Sequence, residues 1–498
     1  IPNSVTAIGD HAYENCNLLS SLTLSTQLTT ISSYCFSECS SIECQLTIPD
    51  SVTEIQDRSF YRCSNLLSIT FTKVKIIGEY SFSRCSKLSG PLTIPSSVTD
   101  IKKYAFQQCR RVTSLSLGLN VQTIGNYTFG SCWNIEGQLD IPNSIKEIGF
   151  HSFYDCSKIT SLSIGNGIDK ISGYSFFFCT GLVGELKIPD SILEIGDYAF
   201  YGCRGLTSLS LGSKVTKIGS NSFEGAKGLS GPLFLPDTVL EIGHYSFKGC
   251  SQISSVKLSA KMITIGDYSF YECERIEGQL SIPDTVQTIG SYAFCECDKI
   301  TSLSFGKGLK EIGAECFGKC FGLTGPLVIP DTITTIKRGA FRNCRGFDSL
   351  KLNNKMKKIE NQVFENCSGL TGELIIPNVV THINELAFYG CNKLKSLVLG
   401  NKVKVIGERS FSYCTSLSGN LVIPVSVQTI GADSFSFTNL SLFSYSGTIE
   451  PLCEGPIIEP RNFYVLVQQE FLNESFCDIK IVHDLSEIPI QSPYKVPE

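Results

Sequence analysis

Apolar residues return along this chain in a fixed order, and residues Leu186 to Leu206 contain the whole pattern. Leu186 and Ile188 alternate with polar neighbours as on a half-buried strand. Pro189, with no N–H to donate, ends that strand one residue later. Ile192 and Ile195 supply a shorter apolar pair, after which Gly196 is read as freeing the backbone to turn. Phe200, Cys203 and Leu206 follow at intervals of three, the spacing of a single helical or 3₁₀ turn with one inward face. So short a unit cannot bury these side chains alone. It is stable only when copies stack, each one a rung of a solenoid.

The copies are counted on the aromatic residue at the Phe200 position, from Tyr13, Phe36 and Phe60 to Phe411 and Phe435, nineteen in all. Successive gaps alternate between 23 and 24 residues, so the true period is a pair of turns of about 47 residues. Longer turns read Gly-x-Leu-x-Ile-Pro, as from Gly137 to Pro142; shorter ones read Ser-Leu-Ser-Leu-Gly, as from Ser114 to Gly118. The exception is the 22-residue gap between Phe60 and Phe82, where a one-residue deletion is expected to tighten a loop and leave the core register intact.

The pattern Leu-x-Ile-Pro-x-x-Val-x-x-Ile-Gly-x-x-Ala-Phe-x-x-Cys-x-x-Leu resembles the BspA-type leucine-rich repeat of bacterial and parasitic-protist surface antigens, over roughly residues 1–440. The resemblance implies a right-handed solenoid with a parallel sheet on one face. It also implies adhesion to host-cell or matrix proteins, at the cell surface or in secreted form.

Composition narrows the field without naming a ligand. The formal net charge is −5 and 18% of residues are charged, which leaves nucleic-acid binding through phosphate neutralisation unsupported. No apolar run approaches the roughly eighteen residues of a membrane span. Ile1 enters mid-repeat with no basic or apolar leader, so upstream repeats or an N-terminal cap are expected in a longer parent protein. Beyond Leu440 the period stops; residues 441–498 read as a capping segment with short strands around Phe463–Val467 and Asp478–Val482, then a Pro-rich tail from Ile488 to Glu498.

Of the 23 cysteines, seventeen occupy one column three residues after the aromatic, from Cys16 to Cys414, with Ala226 and Thr438 in the two remaining turns. Such a column is either a disulfide framework or a ladder of buried thiols acting as small hydrophobes. Parallel Cβ vectors, and a partner orphaned by Ala226, favour the ladder. Cys453 and Cys477, outside the column, are the best disulfide candidates. Cys295-Glu296-Cys297 and Cys316 to Cys320 have no His at ligand spacing, so no metal site is assigned.

Two exposed columns remain. Two residues before the repeat aromatic lies a tyrosine column that includes Tyr104, Tyr127, Tyr174, Tyr198, Tyr245, Tyr268 and Tyr292, giving way to Glu315, Gly339, Gln362 and Leu386. It reads either as a stacking strip for sugars or a protein partner, or as phenol rings packed flat to cover the repeat edge. The second column is the outward residue of each strand, running from Thr23, Thr47, Thr70 and Thr93 through Phe234 to Val328, Lys351, Ile375, Val398 and Val422. Its four late apolar members form a strip that marks a partner site unless the terminal segment or a neighbouring chain covers it.

Catalysis finds no constellation. Five histidines, His11, His151, His244, His382 and His483, are scattered through different turns, and the glycines follow the repeat rather than a nucleotide fingerprint. The reading is therefore an α/β, β-rich leucine-rich-repeat solenoid of about nineteen turns over residues 1–440 with a capping segment at 441–498. It is non-enzymatic and without cofactor. It binds protein, or glycan, through an extended surface; the alternative is an intracellular scaffold on the same solenoid.

Overall fold

One rung shows how the sequence becomes structure. In the computed structural model, which describes residues 1–458 and 463–488, strand Val183–Lys187 pairs in parallel with Gly205–Ser210, Leu186 lying opposite Leu209. Leu186 and Ile188 are buried and Lys187 between them is exposed, as side-chain alternation requires. A tight turn, in which the Ile192 amide donates to the Pro189 carbonyl at 3.1 Å, leads into the short strand Glu194–Ile195. This strand pairs with Lys170–Ile171 on one side and Lys217–Ile218 on the other.

Gly196 works differently from the expectation. Its φ is not left-handed, but a Cβ there would stand 2.6 Å from the backbone nitrogen of Gly173 on the preceding rung. Close stacking of backbones, rather than a turn, is what excludes a side chain.

The segment around Phe200 alternates two kinds of hydrogen bond. The amides of Tyr201 and Cys203 donate three residues back within the rung, to Tyr198 and Phe200, each at 3.2 Å. Those of Tyr198, Phe200 and Gly202 donate across to Ser220, Ser222 and Glu224 of the next rung at 2.8–2.9 Å. The expected helical turn is thus a run of 3₁₀-spaced bonds interrupted by two left-handed residues, Tyr198 (φ 57°) and Gly202 (φ 73°). Every second amide is thereby freed to tie rungs together.

Unequal turn lengths are absorbed at one glycine. Gly137 has φ +81° and its missing Cβ would meet nothing within 4 Å, so conformation rather than space requires glycine there. At that point the pairing slips by one: Gly137 faces Ile159, but Gln138 faces Ser161. The same glycine recurs every 47 residues from Gly90 to Gly419. At the shortened gap, Gln45–Thr47 pairs with Ser68–Thr70 without a slip, and Ile55 still faces Ile77.

The described chain divides into two compact units, Ile1–Arg275 and Ile276–Glu498, holding twelve and seven copies of the repeat aromatic. Each unit is a parallel-sheet β-solenoid whose interior is a column of stacked rings. In the first, the stack runs from Tyr13–Phe36 (5.3 Å, 8°) to Phe247–Phe270 (5.4 Å, 6°). In the second it runs from Phe294–Phe317 (5.8 Å, 5°) to Phe411–Phe435 (5.5 Å, 2°). Each fully buried Phe contributes about 2–3 kcal/mol by removal from water, and offset stacking adds to that.

The stack ends where ring geometry changes. Phe443 meets Phe435 edge-on at 64°, and Phe463 meets Phe443 at 71°. Strands Asn439–Tyr445, Tyr464–Val467 and Ile479–Val482 continue the parallel sheet, and the short antiparallel strand Ser475–Phe476 covers the edge of the last. The only helix among the described residues is the 3₁₀ turn Leu485–Glu487, closed by an Asp484–Glu487 capping box. Residues 489–498 of the Pro-rich tail lie outside the described residues.

Candidate functional site

The outward row of the long strands is exposed throughout, as its place between two inward residues dictates. At its start Thr47 and Thr70 face each other across paired strands, their hydroxyls 3.3 Å apart. In the second unit Val328 faces Lys351, Ile375 faces Val398, and Val422 faces Ser444. Val328, Ile375, Val398 and Val422 keep 45–61% of their surface open to solvent, so the described part of the terminal segment does not cover them. Phe234 is equally open but stands alone among polar neighbours in the first unit.

Tyrosines of the second column all have φ near +58°. Tyr80, Tyr104, Tyr127, His151, Tyr174 and Tyr198 lie face to face with centroids 4.3–4.9 Å apart. Tyr245 and Tyr268 form a second stretch at 4.7 Å. Tyr292 keeps the same left-handed backbone in the second unit. Arg58 extends the first stretch, its guanidinium 5.2 Å from the Tyr34 ring centre and 4.9 Å from that of Tyr80. Ring faces are taken up by neighbouring rings, so phenol edges are what solvent meets. Burial raises the pKa of Tyr104 and Tyr174 and lowers that of His151.

Column cysteines are free thiols, and a specific contact explains the residue type. Each buried thiol donates to the carbonyl of the repeat aromatic one rung back: Cys63 to Phe36 (3.1 Å), Cys109 to Phe82 (3.2 Å), Cys344 to Phe317 (3.0 Å). A second acceptor site on a buried carbonyl is satisfied by a small, weakly polar side chain. Burial pushes Cys132 and Cys179 up to about 12, so these thiols stay protonated and inert at neutral pH. Cys453 and Cys477 are joined as a disulfide, with Cα atoms 5.5 Å apart. Glu450, whose carboxylate accepts from the Cys477 amide, is the third member of the one metal-capable trio among the described residues; the disulfide occupies both sulfurs.

Three of the five histidines are spent locally, while the buried Nδ1 of His151 has no hydrogen-bond partner among the described residues. His11 pairs with Glu14 at 2.6 Å, His244 lies 3.4 Å from Asp267, and His382 contacts the Thr381 hydroxyl at 2.8 Å. The sequence reading passed over Arg62 and Arg84, which share the column two residues after the aromatic. With Arg110 they line a groove of about 440 Å³ in the first unit. Their shared repeat position is the signal the sequence carries for the pair.

The BspA type leucine rich repeat region is matched over residues 1–113, 75–184, 99–230, 181–278, 229–348 and 334–455. The chain belongs to the BspA-type leucine-rich repeat family. Among solved structures it is similar to a leucine-rich repeat protein from Bacteroides ovatus, at 26% identity and a TM-score of 0.56, covering 73% of this chain and 87% of that one. A leucine-rich cell surface protein from Faecalibacterium prausnitzii matches at 20% identity with a TM-score of 0.25, over 83% and 82%. The pneumococcal vaccine antigen PcpA matches at 15% with 0.28, over 94% and 88%. A search of curated proteins finds no match. The fold and family make this chain a non-enzymatic solenoid with a protein-binding surface. No described helix is long and apolar enough to cross a membrane.

Proposed function

We propose that the chain is a cell-surface adhesin or surface antigen that binds a host-cell or extracellular-matrix protein through the sheet face of its second unit. The observation that carries the site is the exposed apolar row of Val328, Ile375, Val398 and Val422, with Lys351 among them. Its side chains stand on a rigid sheet, so a partner meets them without ordering a loop. The surface role itself rests on the family, and residues 441–498 serve in this reading as the segment that closes the array. The tyrosine column is a secondary strip, offering hydroxyl edges to the same partner or to a glycan.

The test compares two double variants for binding to purified matrix proteins and intact cells. Ile375→Lys with Val398→Asp is expected to weaken binding by about tenfold or more, the usual cost of losing central apolar anchors. Thr47→Lys with Thr70→Asp leaves it unchanged. Equal or greater loss from the threonine pair, with both proteins shown to be folded, rejects the assignment. The second reading, an intracellular scaffold, is favoured by the ladder of free thiols; labelling of intact cells with a membrane-impermeant reagent separates the two.

A further inference from the structure

We infer that the arginine-lined groove of the first unit is a second binding site, for a sulfated or carboxylated oligosaccharide. Three guanidiniums enter it from three successive rungs: Arg62 and Arg84 from one repeat position, at the parallel-rung step of about 4.8 Å, and Arg110 from two residues beyond that position on the next rung. One carboxylate, Glu38, faces them; it pairs with Arg62 at 3.2 Å. Among the described residues no ion pair holds Arg84 or Arg110, and both are exposed. The floor is a ladder of hydroxyls, Ser40, Ser64 and Ser86, the last donating to the Ser64 carbonyl at 3.4 Å.

Ligand chemistry follows from this lining. Each guanidinium presents a planar fork of donors that matches sulfate or carboxylate oxygens two at a time, and a fork on each rung suits a polymer with an anionic group on each unit. Serine hydroxyls match the free hydroxyls of a sugar. At one end the chain's single tryptophan, Trp133, is 38% exposed with the Arg110 guanidinium 4.6 Å from its ring centre, a platform for the apolar face of one sugar ring. An acidic peptide is also read by an arginine cluster; the serine floor and the Trp133 platform are what favour a sugar over it, and poly-glutamate is the competitor that tests the choice. A nucleic-acid strand stacks successive bases on successive aromatic rings; here the rings beside the arginines, Tyr61 at 5.2 Å from Arg62 and Trp133 at 4.6 Å from Arg110, stand at opposite ends of the groove and not on successive rungs.

The experiment uses the full chain and a heparin-derived octasaccharide, with calorimetry for affinity and Trp133 fluorescence for location. Because Trp133 is the only tryptophan, a saturable change reports this end of the groove. Binding is expected to weaken as salt rises, and the neutral control, a dextran oligosaccharide of equal length, does not bind. Arg84→Gln with Arg110→Gln lowers affinity by about tenfold or more, whereas the charge control Lys299→Gln with Lys395→Gln has no effect. Should the arginine pair fail to fold by circular dichroism, Gln108→Glu, which sets a negative charge in the same groove, is expected to give the same loss. The inference is overturned if calorimetry finds no saturable binding, or if the folded groove variant binds as well as the parent chain. It is equally overturned if poly-glutamate or a single-stranded oligonucleotide matches the octasaccharide.

Discussion

The two units carry the same interior and opposite exteriors. In Ile1–Arg275 the turn edge is aromatic, with rings stacked from Tyr80 to Tyr198, and the sheet face is mostly polar, threonine and serine with Asp140, Lys187 and Lys257, Phe234 being the apolar exception. In Ile276–Glu498 the sheet face turns apolar, and after Tyr292 the turn edge becomes polar. There Glu315 is buried against Arg342 at 3.1 Å, and Arg338 reaches Gln362 at 2.6 Å. Nothing inside follows this exchange: beyond the first turn, the Phe, Cys and Ile columns remain buried in both units. Register is held by the interior columns and the backbone ladder, which frees exposed columns to change chemistry without cost to the fold.

If the interiors are equivalent, the largest expected effect is also the most uniform. Phe153→Ala in the first unit and Phe364→Ala in the second should each destabilise by about 3–5 kcal/mol, the price of a large buried cavity. Hydrogen exchange of the surrounding rungs measures each unit separately, which matters because repeat arrays need not unfold in one step. A clear difference between the two would break the equivalence.

Turn edges should differ where cores agree. Tyr174 lies between His151 at 4.3 Å and Tyr198 at 4.5 Å, and Tyr174→Ala is expected to cost about 2 kcal/mol in lost stacking and burial. Gln362→Ala, at the same position of its own rung, loses polar contacts worth about 0.5–1 kcal/mol. Both sites have positive φ, 58° and 61°, so backbone strain cancels and local exchange rates report the side chains.

Smaller and opposite in sign is the response to pH. Burial holds His151 below its ordinary 6.5, so its contribution is present above that value and lost as pH falls through the folded pKa. Burial raises Glu315 above its ordinary 4.5, outweighing the pull of Arg342, so its contribution is present below 4.5 and lost as pH rises through the raised value. Protection measured between pH 4 and 7 should therefore rise with pH around His151 and fall with it around Glu315. His151→Phe and Glu315→Gln should each flatten one slope and leave the other.

The thiol ladder gives the smallest energies and the sharpest yes-or-no result. Native alkylation should reach exposed Cys16 and half-buried Cys44 and spare Cys109 and Cys132 until the chain is denatured. At Ala226 the Phe200 carbonyl has the Cys203 amide and no thiol from the following rung. Ala226→Cys should restore the missing donor and stabilise that rung by about 0.5 kcal/mol, read as slower local exchange; faster exchange would mean that volume, not hydrogen bonding, selects cysteine.

What the sequence made legible was whatever repeats as a residue type. The columns of Phe200, Cys203 and Ile195 announce burial, and Lys187 between Leu186 and Ile188 announces a sheet face. Left-handed backbone at Tyr198 was hidden, because a tyrosine gives no sign of positive φ as glycine or asparagine does. Gly196 was misread for the converse reason: glycine signals freedom and close approach alike, and only the 2.6 Å to Gly173 tells which. The bond from Cys63 to the Phe36 carbonyl crosses rungs, so no single turn contains it. The groove was missed because Arg62 and Arg84 occupy one column and Arg110 another, a juxtaposition that needs three rungs in space.

The glycine that slips the register at Gly137 sets the step in which such an array can grow or shrink. From Gly90 to Gly419 each pair of long strands holds one slip, and the slip returns only every 47 residues. Duplicating or deleting a single turn would place two long or two short turns side by side, leaving a strand whose extra residue has no bulge to receive it. Duplicating or deleting a pair restores every contact at the join. Length in this architecture is quantised in double turns, and a chain lengthened by one 47-residue unit should fold where one lengthened by 23 or 24 residues should not.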